Sequence, residues 1–446
     1  MSGNVDKTQT IAVFWFRRDL RLHDNVGLYH ALTSGLKVLP VFIFDTSILD
    51  KLNNDDKRVS FISQALDSIN RILAQYESSV QMYYGTPALI FAQLLSTYSI
   101  STVFANHDYE PYALERDHQV KLLLAEKGVL FRTFKDQVVF EKNEVVKPDG
   151  EPYTIFTPYS RKWLEKLNTN AEHLHCWNSS DYFHNFSEAD TNRKLALSDI
   201  GFIETQKVFK PFELQGQMLQ SYDKTRDFPA RDSTSKVSVH LRFGTVSIRE
   251  LVTKALTINP IWLNELIWRE FFMQILWHYP HVVTQPFKPK YQFINWLNKE
   301  SDFDSWCKGE TGFPMVDAGM RELNETGFMH NRVRMVTASF LVKHLLVNWQ
   351  WGEAYMAGKL LDFELSSNNG NWQWAAGTGC DSAPYFRIFN PMSQAEKFDS
   401  QNIYIKKWIP EFGSSSYIRP IIDHNFARSR CLETYKSALE TSFNNI

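Results

Sequence analysis

The chain has 446 residues, with 48 Lys plus Arg against 50 Asp plus Glu and a net charge of −2. That length exceeds what one hydrophobic core supports, so two domains are expected, and the charge balance excludes global attraction to a polyanion: contact with nucleic acid must come from a local patch. Four scattered cysteines (Cys176, Cys307, Cys380, Cys431) form no CxxC, no apolar run reaches the ~20 residues of a membrane span, and MSGNVDKTQT lacks the core of a signal peptide, so a soluble cytoplasmic chain without disulfides is expected.

Residues 1–135 read as an α/β domain. TIAVFWF precedes the helical DNVGLYHAL, VLPVFIFD precedes RVSFISQALDSINRILAQ, and VQMYYG precedes ALIFAQLLSTY. TVFANHD then leads into ALERDHQVKLLLAEKG, and VLFRTF closes an alternation that predicts a doubly wound parallel sheet. Neither GxGxxG nor GxxxxGK[ST] occurs, so the domain carries no dinucleotide or phosphate-loop fingerprint. From 136 to 200 the sequence turns polar with no steady period and reads as an interdomain linker. There HLHC sets His173, His175 and Cys176 close together, but no second Cys/His cluster supplies further ligands, and a surface turn is expected rather than a metal site.

Residues 201–446 show helical spacing almost without strand alternation, so the second domain is expected to be all-α. Tryptophan is concentrated here, with three before residue 200 and ten after it, which serves either a large helical core or an aromatic pocket for a flat ligand or bases. In RDSTSKVSVHLRFGTVS the hydroxyls of Ser233, Thr234, Ser235 and Ser238 precede an apolar helical run; they act either as a plain N-cap or as part of a phosphate cradle. In WLNELIWREFF helical spacing gathers Glu265, Trp268, Arg269 and Phe272 on a helix apolar over much of its circumference. In MHNRVRM, Asn331, Arg334 and Met335 fall within about a turn while Arg332 points elsewhere, giving either a solvated face or a pocket edge for a flat ring. In NNGNWQWAAGTGC, Trp372 and Trp374 share a face on a strand but lie roughly 200° apart on a helix.

FWFRRDLRLHDNVGLYHAL, TSKVSVHLRFGTVS, WLNELIWREFF, TGFPMVDAGMRELNETGFMHNRVRM and LLDFELSSNNGNWQWAAGTGCDSAPYFRIFNP together resemble the photolyase/cryptochrome flavoprotein family, and within it the class I cyclobutane pyrimidine dimer photolyases. The resemblance implies an N-terminal α/β domain that accepts an antenna pigment and a C-terminal helical domain that holds FAD. Tyr222 and the run Thr234, Ser235, Lys236, Val237 and Ser238 match the stretch that holds the FAD phosphates. Trp262 and Arg269 match flavin-site positions, and Asp362, Phe363 and Glu364 match contacts to the ribose and ring edge, with Arg334 paired to Asp362. Glu364 stands where the nearest family pattern has Asp. Asn368 falls opposite flavin N5, where an amide suits the reduced flavin that repair needs; Asp or Cys there would point to a photoreceptor.

On the substrate side the resemblance implies that Glu265 hydrogen-bonds a pyrimidine carbonyl edge and stabilises the dimer radical anion, and that Asn331 contacts the dimer from the other side. Trp268 and Trp374 would wall the extruded dimer, Met335 would pack on it, and Arg226, Arg332 and Gln394 would contact the DNA backbone. Trp372, Trp349 and Trp296 match the family's photoreduction chain. His330 is followed by Asn331 where 6-4 photoproduct enzymes carry paired histidines, which favours cyclobutane dimers. The implied antenna is methenyltetrahydrofolate or a deazaflavin; Glu115 is retained, but the folate positions diverge near Asn53 and at Val282 and Val283, so an empty cleft is equally open. The expected protein is a monomeric light-driven lyase that repairs damaged DNA. Its alternatives are a signalling cryptochrome, a 6-4 photolyase and a flavin-free single-strand binder.

Overall fold

The computed structural model describes residues 9–189, 195–205 and 208–444; residues 190–194, within the stretch read as a linker, lie outside the described residues. Two compact units interleave along the chain. The first takes Met1–Glu141, Lys166–Leu214 and Val237–Thr257, the second Lys142–Glu165, Gln215–Lys236 and Ile258–Ile446.

In the first unit, β1 (Thr10–Phe16), β2 (Lys37–Phe44), β3 (Gln81–Tyr84), β4 (Ser99–Asn106) and β5 (Leu130–Phe134) form a parallel sheet ordered β3-β2-β1-β4-β5. Crossovers run through α1 (Val26–Leu32), α2 (Lys57–Leu73), α3 (Pro87–Thr97) and α4 (Pro111–Glu126). Val13, Trp15, Val41 and Val103 pack with Phe91, Leu94, Val120 and Leu124, while Ala12, Phe14 and Phe16, on the other face of β1, are also buried. Burial on both faces demands an unbroken apolar run, which is why β1 and β2 do not alternate in hydropathy.

The polar FRRDLRLHDN motif directly follows β1. Asn106, at the end of β4, donates to Asp19 (2.6 Å) and Asn25 (2.8 Å) and accepts the Gly27 N–H at 2.9 Å. A Cβ at Gly27 would lie 2.8 Å from that Asn106 oxygen, so only glycine fits. Arg21 bonds both Asp136 oxygens (2.8 and 2.7 Å), and Arg249 reaches Asp24 and Asp136, each at 3.0 Å. Two cations thus compensate two carboxylates in a buried network, the condition under which such charges are tolerated. The chain reverses its strand order between β1 and β4, the position at which open α/β sheets form ligand crevices. Of the antenna positions in this unit, Asn53 is exposed, and Glu115 is exposed on α4 and accepts from Gln119 at 2.8 Å. His173 rests against Phe140, His175 against Trp177, and Cys176 lies 3.5 Å from His23. Among the described residues no three metal-ligating side chains gather.

The second unit is helical among the described residues, with α5 (Pro260–His278), α6 (Pro314–Thr326), α7 (Asn331–Ser339), α8 (Trp349–Lys359), α9 (Leu365–Ala376), α10 (Pro391–Phe398) and α11 (His424–Asn444). Trp306, Met315, Val333, Leu341, Trp349, Met356 and Trp372 share its core. Part of the stretch read as irregular forms the helix Phe156–Leu167, in which Phe156, Tyr159 and Trp163 recur at i, i+3 and i+7 and are buried. Trp163 Nε1 donates to Glu270 on α5 at 2.6 Å. The polar neighbours of this stripe hide it in the sequence, because a narrow aromatic face needs only three positions in two turns. No described helix is long and apolar enough to cross a membrane.

Candidate active site in the helical unit

One side of α9 borders an open cleft of about 650 Å³, through Ser367, Asn368, Asn371, Trp372, Trp374 and Ala375. At 100° per residue, Ser367, Asn368, Asn371 and Ala375 form a stripe, with Trp372 at one margin and Trp374 at the other. Trp372 is buried in the core, whereas Trp374 is partly exposed, so the one-residue gap separates two environments with Asn368 between them. Asn331 and Arg334 on α7 and Asp362 and Glu364 before α9 complete the polar part of the lining, while Met335, Ala338, Met356, Leu360 and Phe363 add apolar surface. Nine of the residues singled out in the sequence therefore meet at one cavity.

Ion pairs fix its rim. Arg334 Nη2 bonds both Asp362 oxygens (3.1 and 2.9 Å), while its Nε donates to the Met329 carbonyl at 2.7 Å. Arg269, projecting from α5, makes a two-point contact with Glu364 (3.1 and 2.9 Å), and both side chains are buried. Ser367 Oγ donates to the same carboxylate at 3.2 Å. With glutamate in place of the shorter acid, the carboxylate still reaches the guanidinium in the fork geometry that strengthens such pairs. Asn368 Nδ2 donates to Glu353 on α8 at 2.8 Å. Burial pushes the Glu353 carboxyl up, and the Asn368 bond opposes that shift. Glu353 was not singled out in the sequence; its one signal is its place on the buried Trp349 helix.

Glu265 lies outside this lining. It pairs with Arg226, and burial raises its pKa while the Arg226 charge pulls the other way. Arg226 also sits over the Tyr222 ring at 5.7 Å. Arg332 binds Asp227 at 2.8 Å and lies over Phe398 at 4.4 Å, and Gln394 on α10 has a buried Oε1 without a hydrogen-bond partner. Trp262, fully buried on α5, donates to Ser235 at 3.4 Å. Thr234, Ser235 and Lys236 belong to the second unit, Val237 and Ser238 to the first. A plain N-cap does not account for the hydroxyl run: Val237 occupies the cap of helix Ser238–Phe243, and Ser233 bonds the Thr225 carbonyl at 3.0 Å. Lys236 takes φ of 51°, a left-handed conformation uncommon outside glycine.

Trp372, Trp349 and Trp296 all pack in or against one core. The ring neighbour of Trp372 is Trp306, edge-on at 6.1 Å, and Trp296 meets Tyr435 at 6.1 Å. The Val282 carbonyl accepts from Asn369 and Gln373, each at 2.9 Å, so this position braces α9.

Two family models match, described as DNA photolyase over residues 12–176 and as the FAD binding domain of DNA photolyase over residues 262–415. A deoxyribodipyrimidine photo-lyase of Vibrio cholerae is 34% identical over 95% of this chain and 99% of that protein. The chain belongs to the photolyase/cryptochrome family. Among solved photolyases, the class III enzyme of Agrobacterium tumefaciens has a TM-score of 0.86 at 29% identity and covers 99% of this chain and 100% of its own. An archaeal photolyase from Sulfolobus tokodaii, described with two FAD molecules and a novel light-harvesting cofactor, reaches 0.84 at 32% identity, over 96% of this chain and 99% of its own. All nine of these cleft residues fall inside the matched FAD-binding segment. The chemistry of the lining fits a flavin: the Asn368 amide, the Arg334–Asp362 ion pair and the Glu364 carboxylate for the polar edge of a ring, with Met335, Met356 and Trp372 for its faces.

Proposed function

We infer that this chain is a deoxyribodipyrimidine photo-lyase, a flavoprotein that splits cyclobutane pyrimidine dimers in DNA under blue light. The observation that carries the reading is the shared cleft: Asn368 and the Arg334–Asp362 pair suit a flavin edge, and Asn331, Met335 and Trp374 border the same space. Reduced FAD, when bound, would supply the light-driven electron that opens the cyclobutane ring and would recover it once the ring has split, so that no net redox change occurs. Every other task falls to the protein.

Arg269, Arg334, Asp362, Phe363, Glu364 and Trp262 hold the ring and ribose, Asn368 addresses the ring edge, and Tyr222 with the 234–238 run takes the phosphates. Glu265 hydrogen-bonds a pyrimidine carbonyl edge through a carboxyl whose pKa burial raises and the Arg226 charge lowers. Asn331 holds the dimer from the other side, Met335 packs on it, and Trp268 and Trp374 replace its lost stacking. Arg226, Arg332 and Gln394 contact the DNA backbone. Trp372, Trp349 and Trp296 deliver electrons when the flavin is oxidised. The first unit offers the antenna position, for methenyltetrahydrofolate, a deazaflavin or no pigment at all. On this reading the enzyme acts on dimer-containing DNA in the cytoplasm, as a monomer.

The test is illumination of the reduced protein with dimer-containing oligonucleotide. Recovery of pyrimidine absorbance is the expected result; intact dimers in the presence of reduced FAD would instead favour a photoreceptor.

A further inference from the structure

We propose that Phe156 is a positioning residue for lesion recognition: it sets the plane of Trp268, and Asp381 sets Phe156. The proposal rests on the dimer-repair reading of Trp268. Phe156 and Trp268 lie face to face, with ring centroids 3.7 Å apart and planes within 5° of parallel. Aromatic pairs usually keep their centroids roughly 4.5–7 Å apart, so this stack is unusually close and leaves the indole little freedom to tilt. Phe156 is buried, whereas Trp268 stays partly exposed. Phe271 meets both rings nearly edge-on, at 5.9 Å from Phe156 and 5.5 Å from Trp268, and closes the side of the stack.

The Phe156 N–H donates to Asp381 Oδ2 at 3.0 Å. Asp381 follows α9, the helix that carries Trp374, so one bond links the support of one proposed lesion wall to the chain bearing the other. Stacking on a base depends on a coplanar presentation of the ring, and an indole already pinned on one face meets an extruded dimer without losing torsional freedom on binding. Phe156 touches no DNA in this scheme and acts through Trp268.

The FAD-loaded protein should be titrated in the dark with a dimer-containing oligonucleotide and with its undamaged counterpart. Phe156→Ala and Phe156→Leu are expected to lower the ratio of the two affinities on the order of three- to tenfold, with undamaged-DNA affinity and FAD content unchanged, and Phe156→Tyr to retain the parent ratio. Phe156→Leu keeps most of the buried apolar volume without a ring face and decides the matter if the alanine variant does not fold. Parent-like discrimination by Phe156→Leu overturns the stacking role. A parent that itself fails to discriminate overturns the repair reading instead, whatever Phe156 does.

Discussion

Asn368 on α9 is oriented by Glu353 on α8, donating to its carboxylate at 2.8 Å and to its backbone carbonyl at 3.2 Å. The amide proposed to face the flavin is therefore set by a side chain one helix away. Burial raises the Glu353 pKa above 4.5, so the fold disfavours the ionised carboxylate. That cost is complete above the folded pKa and disappears as pH falls below the ordinary carboxylate value. Glu353→Gln, which keeps an acceptor for Asn368, is expected to be more stable than the parent at pH 7 to 8, with the difference vanishing towards about pH 4.5. Urea unfolding across that range measures it; a pH-independent difference would refute the assignment.

Trp372 is buried at the margin of the cleft and in the core. Trp372→Phe is expected to slow photoreduction of oxidised FAD at least tenfold while repair by pre-reduced enzyme stays within a factor of about two, since the change removes the proposed donor indole but keeps an aromatic cavity wall. Flash photolysis and a repair assay on the same preparation separate the two. Equal loss of both would show a packing role only.

The Arg269–Glu364 pair is buried, and removing one partner takes a two-point contact from the other charge in a low dielectric. Glu364→Ala is expected to cost about 3–5 kcal/mol and to release FAD, whereas a double change of Arg269 and Glu364 to apolar residues costs less because neither charge of the pair stays buried. Denaturant midpoints with and without added FAD check both statements.

Gly352 on α8 lies against Trp372: a Cβ there would fall 2.2 Å from its ring and 2.5 Å from Leu341. Gly352→Ala is expected to destabilise the helical unit by about 1–3 kcal/mol through overpacking and to alter photoreduction by moving the indole. Thermal unfolding together with flash photolysis gives the answer.

Much of this protein is written locally. Apolar runs without alternation specify strands buried on both faces, and the bounds of TIAVFWF are those of β1. Long helical periods mark the second unit, and the motifs from Asn331 to Trp374 name residues that do meet at one cleft. Placing Trp372 and Trp374 on opposite margins needs only the helical assignment and 100° per residue. What spacing does not carry is pairing between distant segments. Glu265 and Arg269, one turn apart, find Arg226 and Glu364 as partners; Asn368 takes Glu353; and Phe156, in a stretch that reads as linker, stacks on Trp268. Local pattern sets which face of an element is apolar, whereas each of these partnerships depends on which faces are brought together, and only packing of the whole unit decides that.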